Sequence, residues 1–129
     1  MKPLVSILIP AYNSEDWIGD AIRSALAQTW PRKEIIIVDD GSTDGTASVA
    51  RRFASKGVTV VSKENEGAAA ARNHALQFSH GDYIQWLDAD DILAPDKIEL
   101  RNATFALNLL TFKQCLAVLA TRYRLWGNR

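Results

Sequence analysis

Four short apolar runs alternate with amphipathic stretches along the chain, and each run ends in polar or acidic residues. Leu4-Val5-Ser6-Ile7-Leu8-Ile9 is almost continuously apolar, the pattern of a strand covered on both faces. Pro10 is expected to end it, because proline has no N–H to give a sheet ladder. After the loop Pro10-Ala11-Tyr12-Asn13, the residues Ile18, Ile22, Ala25 and Leu26 recur at i, i+4, i+7 and i+8, one buried helical face. Asn13 or Ser14 is the expected cap of that helix and Pro31 its stop. Ile35-Ile36-Ile37-Val38 predicts a second buried strand, ending in Asp39-Asp40 and a turn-rich Gly41-Ser42-Thr43-Asp44-Gly45-Thr46. A helix is expected from about Thr46 to Lys56, with Val49, Ala50 and Phe53 inward and Gly57 closing it. Val58-Thr59-Val60-Val61 reads as a third strand. The alanine-rich stretch from Ala68 to Phe78 reads as a helix, and Tyr83 to Leu87 as a fourth strand. Pro95 suits the first position of a further helix.

Strand and helix thus alternate. That order predicts an α/β fold, a mostly parallel Rossmann-like sheet with helices on both faces and right-handed crossovers. Ligands of such sheets lie beyond the carboxyl ends of the strands. Here those ends carry Tyr12-Asn13, Asp39-Asp40, Glu64-Asn65 and Asp88-Ala89-Asp90-Asp91. The topology would bring all four to one edge, giving a site of carboxylates, one tyrosine and a cation.

The fourth end is the most concentrated in charge. Asp88 and Asp90 stand two apart and could face the same side. Carboxylates this close repel, and a divalent cation such as Mg²⁺ is the natural compensation because hard cations take carboxylate oxygen. An isolated Asp-x-Asp can equally be a solvated acidic turn. Neither Gly-x-Gly-x-x-Gly nor Gly-x-x-x-x-Gly-Lys follows the first strand. The phosphates of any nucleotide would therefore be met by a metal or by Arg72.

Composition narrows the class. The chain has 129 residues, 47% of them apolar, enough for one domain with a core. A single cysteine, Cys115, excludes an internal disulfide, and two histidines without a Cys/His cluster argue against structural zinc. The first apolar run is too short for a signal core or a membrane span, so a cytoplasmic protein is expected. Net charge is zero but uneven. Residues 1–100 hold ten basic and fifteen acidic residues, a net −5, and residues 101–129 hold five basic and no acidic residue, a net +5. The acidic first part argues against nucleic acid as a partner.

Val5 to about Ile98 resembles the nucleotide-sugar-binding portion of family 2 glycosyltransferases, which have the GT-A fold. The resemblance rests on Val5 to Asn13, on Glu34 to Asp44, on Asn65-Glu66-Gly67 with Ala71-Arg72-Asn73, and on Gly81-Asp82-Tyr83-Ile84 leading to Asp88-Ala89-Asp90-Asp91. It divides the chain into a nucleotide-sugar-binding portion, 1–100, and a basic, apolar segment, 101–129, expected to be helical. It implies an inverting, metal-dependent transfer from a nucleotide-diphosphate sugar, with UDP as the expected nucleotide, to an acceptor hydroxyl on a saccharide, lipid carrier or protein. Pro10, Ala11, Tyr12, Asn13, Asp39, Asp40, Arg72 and Asp88 would bind the nucleotide sugar. Tyr12 would lie against the base, Asp40 accept from a base N–H with Asp39 holding the turn, and Asp88 touch the ribose. Asp90 would bind Mn²⁺ or Mg²⁺. Trp86 reads as core.

The family places its catalytic base after the Asp-x-Asp loop, and no acidic residue follows Glu99. No residue of this chain is therefore assigned that role. A second reading follows, a nucleotide-binding module without turnover. A third compares Trp86 to Leu93 with the first motif of haloacid-dehalogenase-type phosphatases, in which Asp88 would be the nucleophile and Asp90 an acid. The basic-aromatic Arg122-Tyr123-Arg124-Leu125-Trp126 raises peripheral contact with the inner membrane face as an alternative. An unpaired sheet edge raises homo-oligomerisation.

Overall fold

The computed structural model describes residues 2–103 and the backbone of Leu125–Trp126. Within it the apolar runs form the strands β1 (Val5–Ala11), β2 (Lys33–Asp40), β3 (Val58–Lys63) and β4 (Tyr83–Trp86). The amphipathic stretches form the helices α1 (Ile18–Leu26), α2 (Thr46–Arg51) and α3 (Ala68–Phe78). The sheet order is β3-β2-β1-β4-β5, where β5 is Leu125–Trp126, and every pairing is parallel.

Side chains alternate across β1 and divide the core into two layers. Ile7 and Ile9 join Ile18, Ile22, Ile37 and Ile98 in the larger cluster, under α1. Leu8 joins Ile36, Val38, Ile84 and, from α3, Ala71 and Ala75 in the smaller one. Helices therefore cover both faces, as the apolar pattern of the strands predicts.

Several local expectations are corrected. Pro10 does not end β1, which continues to Ala11 with Pro10 opposite Val38. The reason lies in the ladder. Leu4 and Leu8 direct their carbonyls to the β4 side, accepting from the N–H groups of Asp82 and Leu87. Pro10 has the same parity, and the β4 pairing has stopped at Trp86, so its missing N–H falls where no strand runs. Neither Asn13 nor Ser14 caps α1. The flanking residue is Trp17, with no side-chain cap, and the Ser14 hydroxyl donates to the Tyr12 carbonyl at 2.9 Å. The helix also stops at Leu26, before Pro31 is reached. The helix foreseen from Thr46 to Lys56 is α2 followed by a separate 3₁₀ turn, Ala54–Lys56, and Gly57 closes that turn at φ +83°. Pro95 lies in the turn before the helical residues 97–103 rather than inside the helix. Of the segment 101–129, residues 101–103 continue that helix. Leu125–Trp126 is extended rather than helical, pairing with Ile84 and Gln85, and the rest lies outside the described residues.

At the amino edge of the sheet, the buried Ser6 hydroxyl donates to the Glu34 carboxylate and accepts from Gly81 N–H at 2.8 Å. Glu34 also accepts from His80 N–H. This network fixes the link between α3 and β4, and with it the start of the strand that carries the acidic cluster.

Candidate functional site

At the carboxyl edge the strands open onto a cavity of about 380 Å³ lined by Pro10, Ala11, Tyr12, Asp40, Arg72 and Asp88, and by Asn65, Gly67, Ala68 and Ala71. All four predicted strand ends place a residue in its wall, Tyr12, Asp40, Asn65 and Asp88, and α3 presents its first turn to it. Tyr12 is half exposed, at 49%, and so stands in the cavity rather than in the core.

Asp40 is the most elaborately held group. It is buried at the end of β2, where strand alternation turns it to the α3 face and Asp39 to the opposite one. Its Oδ1 accepts from Lys63 Nζ at 3.2 Å and from Glu66 N–H at 3.0 Å, and its Oδ2 accepts from Gly67 N–H at 3.0 Å. A carboxylate offers about four lone-pair directions, so one, on Oδ2, stays open for a ligand. Burial pushes the Asp40 carboxyl up. The bonds from Glu66 N–H, Lys63 and Gly67 N–H, with the Lys63 charge, outweigh it and hold the group below the ordinary carboxylate value. Gly41, at φ +71°, makes the turn behind it, and a Cβ there would lie 2.6 Å from Asn65 N. Only glycine lets the two loops approach this closely.

Arg72 reaches from α3 to Asp88, with Nη2 3.8 Å from Oδ1. The two share a second, small cavity of about 30 Å³ with Trp86 and Asp91. Trp86 is accordingly half-buried, packed on the smaller core cluster with one side facing this cavity.

Asn13, Asp39 and Asp90 do not line the main cavity. Asn13, at φ +46°, stitches two loops: its Oδ1 accepts from Thr43 N–H at 2.9 Å and its N–H donates to Ser42 Oγ at 2.9 Å. Asp44 adds to the same seam. A bond from the Thr46 hydroxyl holds its carboxyl below the ordinary value, against an upward push from desolvation, with backbone N–H groups of Thr46 and Glu15 assisting. Asp39 accepts from Ser42 N–H at 3.2 Å and so holds the turn. Asp90 and Asp91 are exposed. Their loop is tied to the end of α1 by the buried Gln28, which donates to the Ala94 carbonyl at 2.6 Å and accepts from Ile98 N–H at 3.2 Å.

The donor set suits a cation shared with a ligand. Among the described residues no three carboxylate, histidine or cysteine groups converge on one point. Asp88 and Asp90 can give one or two oxygens, the usual protein share for Mg²⁺ that is otherwise held by phosphates and water.

Asn65, Gly67, Ala68 and Ala71 are not among the residues that the resemblance assigns to the nucleotide sugar, although Glu64-Asn65 is one of the expected strand ends and the Asn65-Glu66-Gly67 and Ala71-Arg72-Asn73 motifs mark the loop and the first turn of α3. Lys63 carried no such signal, since a lysine at a strand end reads as an ordinary edge charge. Among the described residues, no helix is long and apolar enough to cross a membrane.

A family model, "Glycosyl transferase family 2", matches residues 6–103. TuaG of Bacillus subtilis, named as a teichuronic acid biosynthesis glycosyltransferase, is 46% identical over 101 residues, covering 76% of this chain and 40% of TuaG. The chondroitin synthase of Pasteurella multocida is 47% identical over 100 residues, covering 76% of this chain and 10% of the synthase. The chain thus spans two fifths or less of these relatives. Among solved structures, S. aureus TarS 1–349 in complex with UDP superposes with a TM-score of 0.76 at 28% identity, over 81% of this chain and 32% of TarS 1–349. The mannosyltransferase PcManGT of Pyrobaculum calidifontis, in complex with GDP-Man and Mn²⁺, gives 0.71 at 33% identity, over 76% of this chain and 31% of that one. The parallel sheet with its acidic carboxyl edge is that of GT-A glycosyltransferases, and the phosphatase reading of the Asp88 motif falls with it. By the family match over most of its length, the chain belongs to glycosyl transferase family 2.

Proposed function

We propose that this chain binds a nucleotide-diphosphate sugar, with UDP as the nucleotide, and serves its transfer to an acceptor hydroxyl with inversion. The observation that carries this reading is the single cavity in which Tyr12, the open lone pair of Asp40, the first turn of α3 and the Arg72 guanidinium meet. An aromatic face, a ring N–H acceptor, backbone N–H groups and a cation are the partners a uracil base and a diphosphate require. The UDP complex of TarS and the Mn²⁺ complex of PcManGT support it.

Tyr12 packs against the base, Asp40 accepts its ring N–H and Asp88 takes the ribose hydroxyls. Arg72 and the N–H groups opening α3 draw the diphosphate to the mouth of the cavity. Asp90, with Asp88, would hold Mn²⁺ or Mg²⁺. When bound, the ion acts as a Lewis acid that stabilises the leaving nucleoside diphosphate. The general base is assigned to no residue of this chain, and the acceptor is a saccharide, lipid carrier or protein hydroxyl.

Equilibrium dialysis with UDP-, GDP- and ADP-sugars tests the reading. Retention of a UDP-sugar in preference to the ADP-sugar, lost in Tyr12→Ala, is expected. Equal retention of all three, or of none, would overturn it.

A further inference from the structure

Lys63 stands behind the wall of the cavity rather than in it. It ends β3 opposite Asp40 in the β2–β3 register, and its side chain is only 11% exposed. Its ammonium is fully engaged. It donates to Asp40 Oδ1 at 3.2 Å and to the Glu64 carbonyl at 2.7 Å, and it lies 3.6 Å from Glu66 Oε1. Neither Lys63 nor Glu66 lines the cavity, whereas Asp40 and Gly67 do.

We propose that Lys63 is a positioning residue for base selection: it holds Asp40 as an acceptor, with one Oδ2 lone pair open, and so makes the site choose bases that present a ring N–H. The inference rests on nucleotide binding in the cavity, as proposed above, and adds what determines the choice of base. A buried carboxylate without a counter-charge takes up a proton readily. The groups facing Asp40 are Lys63 from β3, Glu66 and Gly67 from the loop opening α3, and, around the same cavity, Arg72 and Asp88. Of these, only Lys63 is a cation bonded to it. Without that ammonium the two backbone N–H groups remain, the nearby Glu66 carboxylate opposes ionisation, and burial favours the protonated acid. A protonated Asp40 donates. It then matches a ring acceptor such as cytosine N3 and repels the N–H of uracil.

The test is calorimetric titration of UDP and CDP, at fixed Mn²⁺, into the wild-type chain, Lys63→Met and Lys63→Arg, from about pH 8 to about pH 5, across the range where a raised carboxyl pKa would show. The wild type is expected to prefer UDP by about tenfold or more, as a site that pairs a polar edge discriminates against its mismatch, with no pH dependence. In Lys63→Met the preference narrows or inverts as the pH falls, and Lys63→Arg restores it. A merely structural role would weaken both nucleotides alike and leave the pH profile flat, and that result would overturn the inference. Should Lys63→Met fail to fold by circular dichroism, Lys63→Gln carries the same comparison. If the wild type binds neither nucleotide, the proposed function fails and this inference with it. If it binds UDP but Lys63→Met keeps the wild-type ratio throughout, Lys63 alone loses its role.

Discussion

Arg72 on α3 and Asp88 after β4 face each other at 3.8 Å, and both border the main cavity. The separation is long for a direct hydrogen bond, and both side chains keep more than a third of their exposure. Such a pair contributes little to stability, about 0–1 kcal/mol. It places a guanidinium in the cavity wall, where the proposed function puts the diphosphate. Arg72→Met should therefore leave the unfolding free energy within about 1 kcal/mol of wild type while lowering UDP affinity about tenfold, the loss of one charge-assisted contact. Thermal unfolding and titration on the same sample check both halves. Unchanged affinity would remove Arg72 from the site.

Asp40 should show the opposite balance. It is buried, and it terminates two backbone N–H groups and Lys63. Asp40→Asn removes the closer and more buried of the two carboxylates beside the Lys63 ammonium and should cost about 1–3 kcal/mol at neutral pH. The folded-state pKa of Asp40 lies below its unfolded value. The stability it contributes is therefore present above the unfolded value, about 3.9, and is lost as pH falls through the lower folded-state value. Denaturant titrations of wild type and Asp40→Asn should differ at pH 7 and converge in acid below about pH 4.

Gln28 is the anchor of the acidic loop. Its amide binds the Ala94 carbonyl and the Ile98 N–H, and the side chain is buried. Gln28→Leu leaves both backbone groups without that partner and should destabilise the fold by about 1–3 kcal/mol. Because the loop carries Asp90, metal-dependent UDP binding should weaken more than metal-free binding. Equal weakening would show that the loop is positioned by other contacts.

Two glycines with positive φ separate strain from collision. Gly57, at φ +83°, has open space around a built Cβ, whereas Gly41, at φ +71°, would bring it to 2.6 Å from Asn65 N. Gly57→Ala should cost about 1–2 kcal/mol from backbone strain alone. Gly41→Ala should cost more and should also lower nucleotide affinity, since Asn65 lines the cavity. Parallel melting curves and titrations check the order.

The fold and the edge that bears the site were legible because they follow from periodicity. Ile35 to Val38 can only be a buried strand, and Asp39-Asp40 must then leave the sheet where the other acidic ends leave it. Which of those two carboxylates faces the cavity depends on the side α3 occupies. Alternation across β2 gives that only once Val38 is known to pack on Ala71 and Ala75. Pro10 misled because its tolerance depends on the length of β4, a fact of a distant segment. Asn13 read as a helix cap, but its side chain found a stronger use across the loop at Thr43. Lys63 and Gln28 were invisible for the same reason: each acts through a contact remote in sequence, Lys63 on Asp40 and Gln28 on Ala94 and Ile98. No local pattern distinguishes such residues from surface neighbours.

The most direct test of the account is a calorimetric titration of UDP into the folded chain with Mn²⁺, with EDTA, and with Asp90→Asn. Binding should be strong with Mn²⁺, about tenfold or more weaker with EDTA, and weakened to the same degree in Asp90→Asn, because Asp90 would help to hold the ion that stabilises the diphosphate. Absence of UDP binding in all three conditions, or binding indifferent to both metal and Asp90, would contradict it.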